Sequence, residues 1–176
     1  EECTFALIPA AAGEDVLPLI RAIPVPQIIL REQEGFFPEA GIFSRLAVAL
    51  DLEPGRTSLI LDNLRAFLSQ TGQKPRITLV HAVSPLWSEE APGMLNTAGE
   101  ALEEVRGEIA SWGFETSSEI VLGNPENELP GKIGELAPTM LAMGLPAAGE
   151  LGQLLAGATA EALLSGTTCP LLVFPL

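Results

Sequence analysis

The chain has 176 residues, 47% of them hydrophobic and 18% charged, which supplies the core of one domain, or of one domain with an appendage. Nine lysines and arginines stand against 23 acids, for a net charge of −14; a nucleic-acid partner, which needs a basic surface to displace counterions, is not expected. The acid reads as a solvated surface, and a bound polyphosphate would need backbone N–H groups or a metal to offset the field. No apolar run approaches the roughly 20 residues of a membrane span.

Cys3 and Cys169 are far apart and form no CxxC, as for free thiols of a reducing, cytoplasmic compartment. The one histidine, His81, sits in the apolar run "TLVHAV" and reads as a hydrogen-bonded core residue. A single histidine leaves no metal-ligand cluster and no Ser/His or Cys/His pair, so no catalytic residue and no metal is assigned. The first residues, "EECTFALIPA", have no initiator methionine and no basic n-region. The expectation is a piece of a longer polypeptide.

Taken in chain order, residues 1–43 hold two apolar stretches, "FALIPA" and "VLPLIRAIPVPQIIL", and a linker-like "REQEGFFPEAGIFS". Regular alternation starts at "RLAVALD" (45–51), a short apolar run that predicts a buried strand. "LEPG" reads as a loop. Thr57 or Ser58 is expected to cap a helix over "SLILDNLRAFLSQTG", with Leu59, Leu61, Leu64, Phe67 and Leu68 at helical spacing and Gly72 as its stop. "RITLVHAV" is a second strand. After the polar "SPLWSEEAPGML", the stretch from Thr97 to Trp112 is amphipathic, with Ala101, Leu102, Val105 and Ile109 on its apolar side. "ETSSEIVLG" is a third strand. "NPENELPGKIGELAP" reads as a helix interrupted by Pro130 and Gly131. "TMLAMG" is a fourth strand, Ala156 to Ser165 a helix, and "PLLVFP" a fifth strand. Strands alternating with helices predict a parallel sheet with helices on both faces. Ligands of such sheets bind beyond the carboxyl ends of the strands. That directs attention to the loops after Asp51, Val83 and Gly144.

Those loops carry a resemblance. "AVALD", "TLVHAV", "VLGNP", "AMG" and "LLAGATAEALLSGTTCPLLVFP" resemble, in order and spacing, the universal stress protein (UspA-type) domain, over residues 44–176. The resemblance implies an α/β fold: an open parallel five-stranded sheet in the order 3-2-1-4-5 with helices on both faces, of the adenine-nucleotide-hydrolase kind, dimeric through the last strand. In ATP-binding members of that family the first-strand aspartate contacts the nucleoside, backbone after the second strand contacts the base, and a Gly-x2-Gly-x9-Gly-Ser/Thr loop holds the phosphates. Carried onto this chain, the aspartate is Asp51 and the base-contacting backbone is Ala82–Val83. The loop positions fall on Gly144, Ala147, Gly157 and Ala158. Alanine at 147 and 158 departs from the pattern. A methyl blocks close backbone approach, and the lost hydroxyl removes a phosphate donor. Lys132 is also the last cation of the chain.

The implied reading is a regulatory or dimerisation module with a degraded phosphate loop and no required cofactor, either free in the cytoplasm or as the cytosolic part of a membrane transporter. The alternative is a stress sensor that binds AMP, ATP or a cyclic dinucleotide. A small enzyme of the related hydrolase fold would need a complete phosphate loop.

Residues 1–43 resemble the tail of a second, partial copy. "VLPLIRAIPVPQIIL" matches "AEALLSGTTCPLLVF", with Pro26 on Pro170, Ile20 on Leu164 and Ile28 on Leu172. "FALIPA" resembles "TMLAMG", and Pro9 stands for Gly144. The first copy is nine residues shorter where a phosphate loop would lie. Its strand is expected beside the last strand of the complete copy, an intramolecular alternative to a homodimer.

Overall fold

The computed structural model describes residues 5–11, 14–31, 41–84, 91–145 and 153–176; of residues 91–92 and 153–157 the helical backbone alone is described. Twelve elements follow one another among these residues. They are β1 (Ala6–Ala10), α1 (Leu17–Ala22), β2 (Gln27–Arg31), β3 (Arg45–Ala49), α2 (Pro54–Thr71), β4 (Arg76–Val83), α3 (Ala91–Ser111), β5 (Thr116–Leu122), α4 (Pro125–Leu136), β6 (Met140–Leu145), α5 (Gln153–Gly166) and β7 (Leu171–Pro175).

All seven strands form one sheet in the order β1-β2-β7-β6-β3-β4-β5. The expected five strands are therefore corrected to seven, and the all-parallel expectation to a sheet with one antiparallel seam. β5, β4, β3, β6 and β7 run parallel to one another, whereas β2 lies antiparallel on β7. β1 then pairs parallel with β2. The expected 3-2-1-4-5 order is the run β5-β4-β3-β6-β7 within this larger sheet. The physical reason for the extension is the β7 edge: a strand apolar on both faces leaves a row of unpaired backbone groups that another strand can cover.

The sheet buries a core on each face. On one face Ile20 of α1, Leu129 and Ile133 of α4 and Leu163 of α5 pack against Ile29, Ala47, Val80, Leu141 and Val173. On the other, Leu64 and Phe67 of α2 and Leu102 and Ile109 of α3 pack against Ile28, Val48, Leu79, Ala142 and Leu172. Alternation in β2 thus sends Ile29 to one core and Ile28 to the other. The α1 segment is tied in by a buried Gln27, whose Nε2 donates to the carbonyls of Ile20 (2.8 Å) and Ile23 (2.9 Å). Arg31 Nη2 donates to the Leu164 carbonyl of α5.

Two helix starts differ from the sequence expectation. α2 begins at Pro54, with Glu53 and not Thr57 or Ser58 as its N-cap; the Glu53 carboxylate accepts from the backbone N–H groups of Gly55 and Arg56. Proline suits the first helical position because its missing N–H has no helical partner there. The stop is as expected: Gly72 adopts φ 63°, and its N–H donates to the Leu68 carbonyl. Leu59, expected inside, is 47% exposed, and Ile60 takes the buried position. α3 likewise starts at Ala91, ahead of the expected Thr97, while Leu102, Val105 and Ile109 are buried as its spacing predicts. α4 continues through Pro130, capped at Asn124.

Cys169 is a free, buried thiol, and burial pushes its pKa up to about 11; Cys3 lies outside the described residues. A neutral thiol favoured by folding contributes stability that is whole below its ordinary value of 9.0 and is lost as pH rises toward 11. Cys169 is accordingly expected to resist iodoacetamide at pH 8 in the folded protein and to react once denaturant is added. Mass spectrometry of the alkylated tryptic peptide checks this, and equal labelling with and without denaturant would contradict it.

Candidate functional site

The carboxyl ends of β3, β4 and β6 meet at one rim, where an open α/β sheet places its ligands. Two residues beyond β3, Asp51 leads into Leu52, which adopts the left-handed φ of 61°. A non-glycine residue there carries strain on the order of 1 kcal/mol or more. The turn returns the chain into α2 and brings three charged side chains together. Asp51 Oδ1 accepts from the Glu53 N–H (3.0 Å) and Oδ2 from Arg56 Nε (2.5 Å). Glu53 caps α2, and its Oε2 lies 3.9 Å from Arg56 Nε. The backbone hydrogen bonds from Arg56 and Gly55 hold its carboxyl below the ordinary carboxylate range. The cap is therefore complete above that range and is lost as pH falls through the lowered value.

On β4, His81 Nδ1 lies 2.8 Å from the Leu50 carbonyl. Facing a carbonyl, Nδ1 is the donor, which leaves Nε2 as the acceptor of the neutral ring. His81 is half-buried in a cavity wall, not enclosed in the core as expected.

A cavity of about 260 Å³ lies between these groups. Asp51 and Arg56 form one side, His81 and Ala82 the floor, and Gly144 the end of β6, with Ile60, Leu129 and Leu163 as apolar cover. A Cβ on Gly144 would lie 2.5 Å from Leu176 Cδ1 and 2.9 Å from Ile60 Cδ1, so the ends of those two side chains would have to shift to admit one.

Of the residues expected at the site, Asp51, Ala82 and Gly144 line this one cavity. Val83 does not; it faces a neighbouring, wider groove of about 810 Å³ with Leu52, Ser84, Met94 and Thr97. His81 and Ala82 line both, so the two openings adjoin along the end of β4. Ala147 lies outside the described residues. Gly157 falls within α5, where its backbone alone is described. Ala158 is half-buried on α5 and does not line the cavity, whereas the next residue, Thr159, does. A hydroxyl-bearing residue thus lines the cavity one position after Ala158. Arg56 was not among the expected residues either. It corrects the expectation of a site without a nearby cation, and its signal was its place five residues after Asp51, in the first turn of the next helix. Among the described residues, no group of three or more His, Cys, Asp or Glu could hold a metal, and no helix is long and apolar enough to cross a membrane.

Comparison with known proteins agrees with this architecture. No match is found among curated protein sequences. Among solved structures, a universal stress protein from Archaeoglobus fulgidus superposes with a TM-score of 0.64 at 19% identity, covering 97% of this chain and 60% of its own. The chain thus spans about 60% of the length of that relative. A universal stress protein in complex with cAMP gives 0.57 at 15% identity, covering 76% of this chain and 97% of its own. A third, the Archaeoglobus fulgidus universal stress protein in complex with dAMP, gives 0.53 at 16%, covering 75% and 98%. Identities this low speak for the fold alone. The model of the universal stress protein family matches residues 43–175, most of the chain, and on that match the chain belongs to the universal stress protein family.

Proposed function

We propose that residues 44–176 form a regulatory domain that binds an adenine nucleoside phosphate, its nucleoside in the cavity bounded by Asp51, Ala82 and Gly144. The observation that carries the reading is the convergence of these three sequence-distant residues on a single cavity at the carboxyl rim of the sheet. Two structural neighbours solved in complex with cAMP and with dAMP support it. The domain is read as binding and not as catalytic, because the one histidine commits Nδ1 to the Leu50 carbonyl and has no hydroxyl or thiol bonded to it among the described residues.

Titration calorimetry with AMP, cAMP, ATP and a cyclic dinucleotide tests the proposal. Micromolar binding of at least one, weakened about tenfold or more in Asp51→Ala, is the expected result. A second reading, a regulatory module that binds no nucleotide, is favoured by the occupation of Asp51 by Arg56 and by the packing of Leu176 against Gly144. It predicts no heat and no thermal shift with any of the four.

In the same reading, residues 5–31 are the strand-helix-strand tail of a partial second copy. The register supports this: Ile28 and Leu172, equivalent in the two sequences, face each other at the centre of the β2–β7 seam.

A further inference from the structure

The cavity holds an ion pair that the bound ligand would have to break. Arg56 lines the cavity, and apart from His81 it is the one basic side chain that does so among the described residues. Its Nε is bonded to Asp51 Oδ2 at 2.5 Å, while its Nη groups donate no hydrogen bond among the described residues. Asp51, to which the proposed function gives the nucleoside, has its two oxygens already engaged by Glu53 N–H and by Arg56. Both side chains of the pair are about 40% exposed. A pair this wet contributes little to stability and exchanges partners readily.

The first turn of α2 offers an anion nothing else. Its leading N–H groups, of Gly55 and Arg56, are taken by the Glu53 carboxylate. Among the described residues, an anion entering the cavity meets one carboxylate, Asp51, and one guanidinium, Arg56, with the Glu53 carboxylate 3.9 Å from Arg56 Nε. That balance suits a ligand with one phosphate and opposes a longer anionic chain.

We infer that Arg56 is the phosphate-selecting residue of this domain: on binding, its guanidinium leaves Asp51 for a single ligand phosphate, and the released Asp51 carboxylate accepts from the ribose. The exchange rests on the nucleotide reading given above, and it adds the ligand class: nucleosides carrying one phosphate ahead of triphosphates. A guanidinium fork matches two phosphate oxygens at once. Losing a charge-assisted contact of this kind costs roughly tenfold or more in affinity.

The test is calorimetry with adenosine, AMP and ATP on the full chain and on Arg56→Gln and Arg56→Lys. Thermal unfolding without ligand confirms that each variant is folded. In the unaltered protein AMP should bind more tightly than both adenosine and ATP. In Arg56→Gln, AMP should fall to the affinity of adenosine, a loss of about tenfold or more, while adenosine binds as well as before or better because Asp51 is released. Arg56→Lys should recover part of the preference, having charge without the fork. Equal losses for adenosine and AMP in Arg56→Gln, or no loss for either, would overturn the role of Arg56 and leave nucleotide binding standing. If the unaltered protein binds none of the three, the nucleotide reading falls and the exchange falls with it.

Discussion

A chain shortened to residues 44–176 is expected to elute as a dimer, with light scattering reporting twice its formula mass. In the whole chain Leu171, Leu172, Val173 and Phe174 of β7 are fully buried. Removing β1, α1 and β2 strips the cover from that strand and opens its N–H and C=O row to solvent. The β2–β7 seam already has dyad character, with Ile28 opposite Leu172, Gln27 opposite Val173 and Ile29 opposite Leu171. A second β7 fits the vacated place about the same axis, with Leu172 facing its own counterpart. A shortened chain that stays soluble and monomeric at micromolar concentration would show that the edge needs no cover. An intermediate variant, Ile29→Asp, puts a charge where the side chain is wholly buried. It should loosen the same seam without deleting anything.

Phe67→Ala is expected to cost about 3–5 kcal/mol, which in a chain of this size lowers Tm on the order of 10 °C. Phe67 is 1% exposed on α2. Its ring meets Phe43 at 5.6 Å and Phe5 at 6.2 Å, the latter edge-on at 72°. It therefore joins the residue just before β1 and the segment leading into β3 to the main core. The share owed to Phe5 is separable: a double-mutant cycle of Phe5→Ala with Phe67→Ala should show coupling of about 0.5–1.5 kcal/mol. Strict additivity would mean that the edge-on contact contributes nothing and that Phe67 acts through the core alone.

Most elements of the main domain are legible because β3, β6 and β7 are short apolar runs and glycine follows or closes α2, α3 and α5, whereas β5 is half polar and α4 ends on Ala137. Gly72 after α2 and "RITLVHAV" for β4 needed nothing more than periodicity. The start of α2 was not legible, since "EPG" has the composition of a turn. Only the folded chain shows Glu53 closing over two N–H groups with proline already helical behind it. The placement of β2 against β7 follows from long-range pairing, which local sequence does not encode. At the site, strand ends direct attention to the loops after Asp51, Val83 and Gly144, and the resemblance adds Ala82; Asp51, Ala82 and Gly144 line one cavity. Arg56 is not legible as a site residue because the family pattern puts the phosphate contacts near the last helix, whereas the fold brings a cation in from α2. Thr159 was missed because a loop pattern counts residues, while a helix surface turns by about 100° with each one.

The reversal at the β2–β7 seam also settles a matter of routing. Because β2 runs opposite to β7, its last residue, Arg31, emerges at the same end of the sheet where β3 begins. The thirteen residues between Arg31 and Arg45 need only pass β7 and β6 sideways, three strand spacings or about 15 Å. Had β2 been parallel to its neighbour, the same thirteen residues would have had to travel the full height of the molecule as well. Thirteen residues fully extended reach roughly 40 Å, so the sequence length between Arg31 and Arg45 exceeds that separation severalfold and places no constraint on where the leading strands pair.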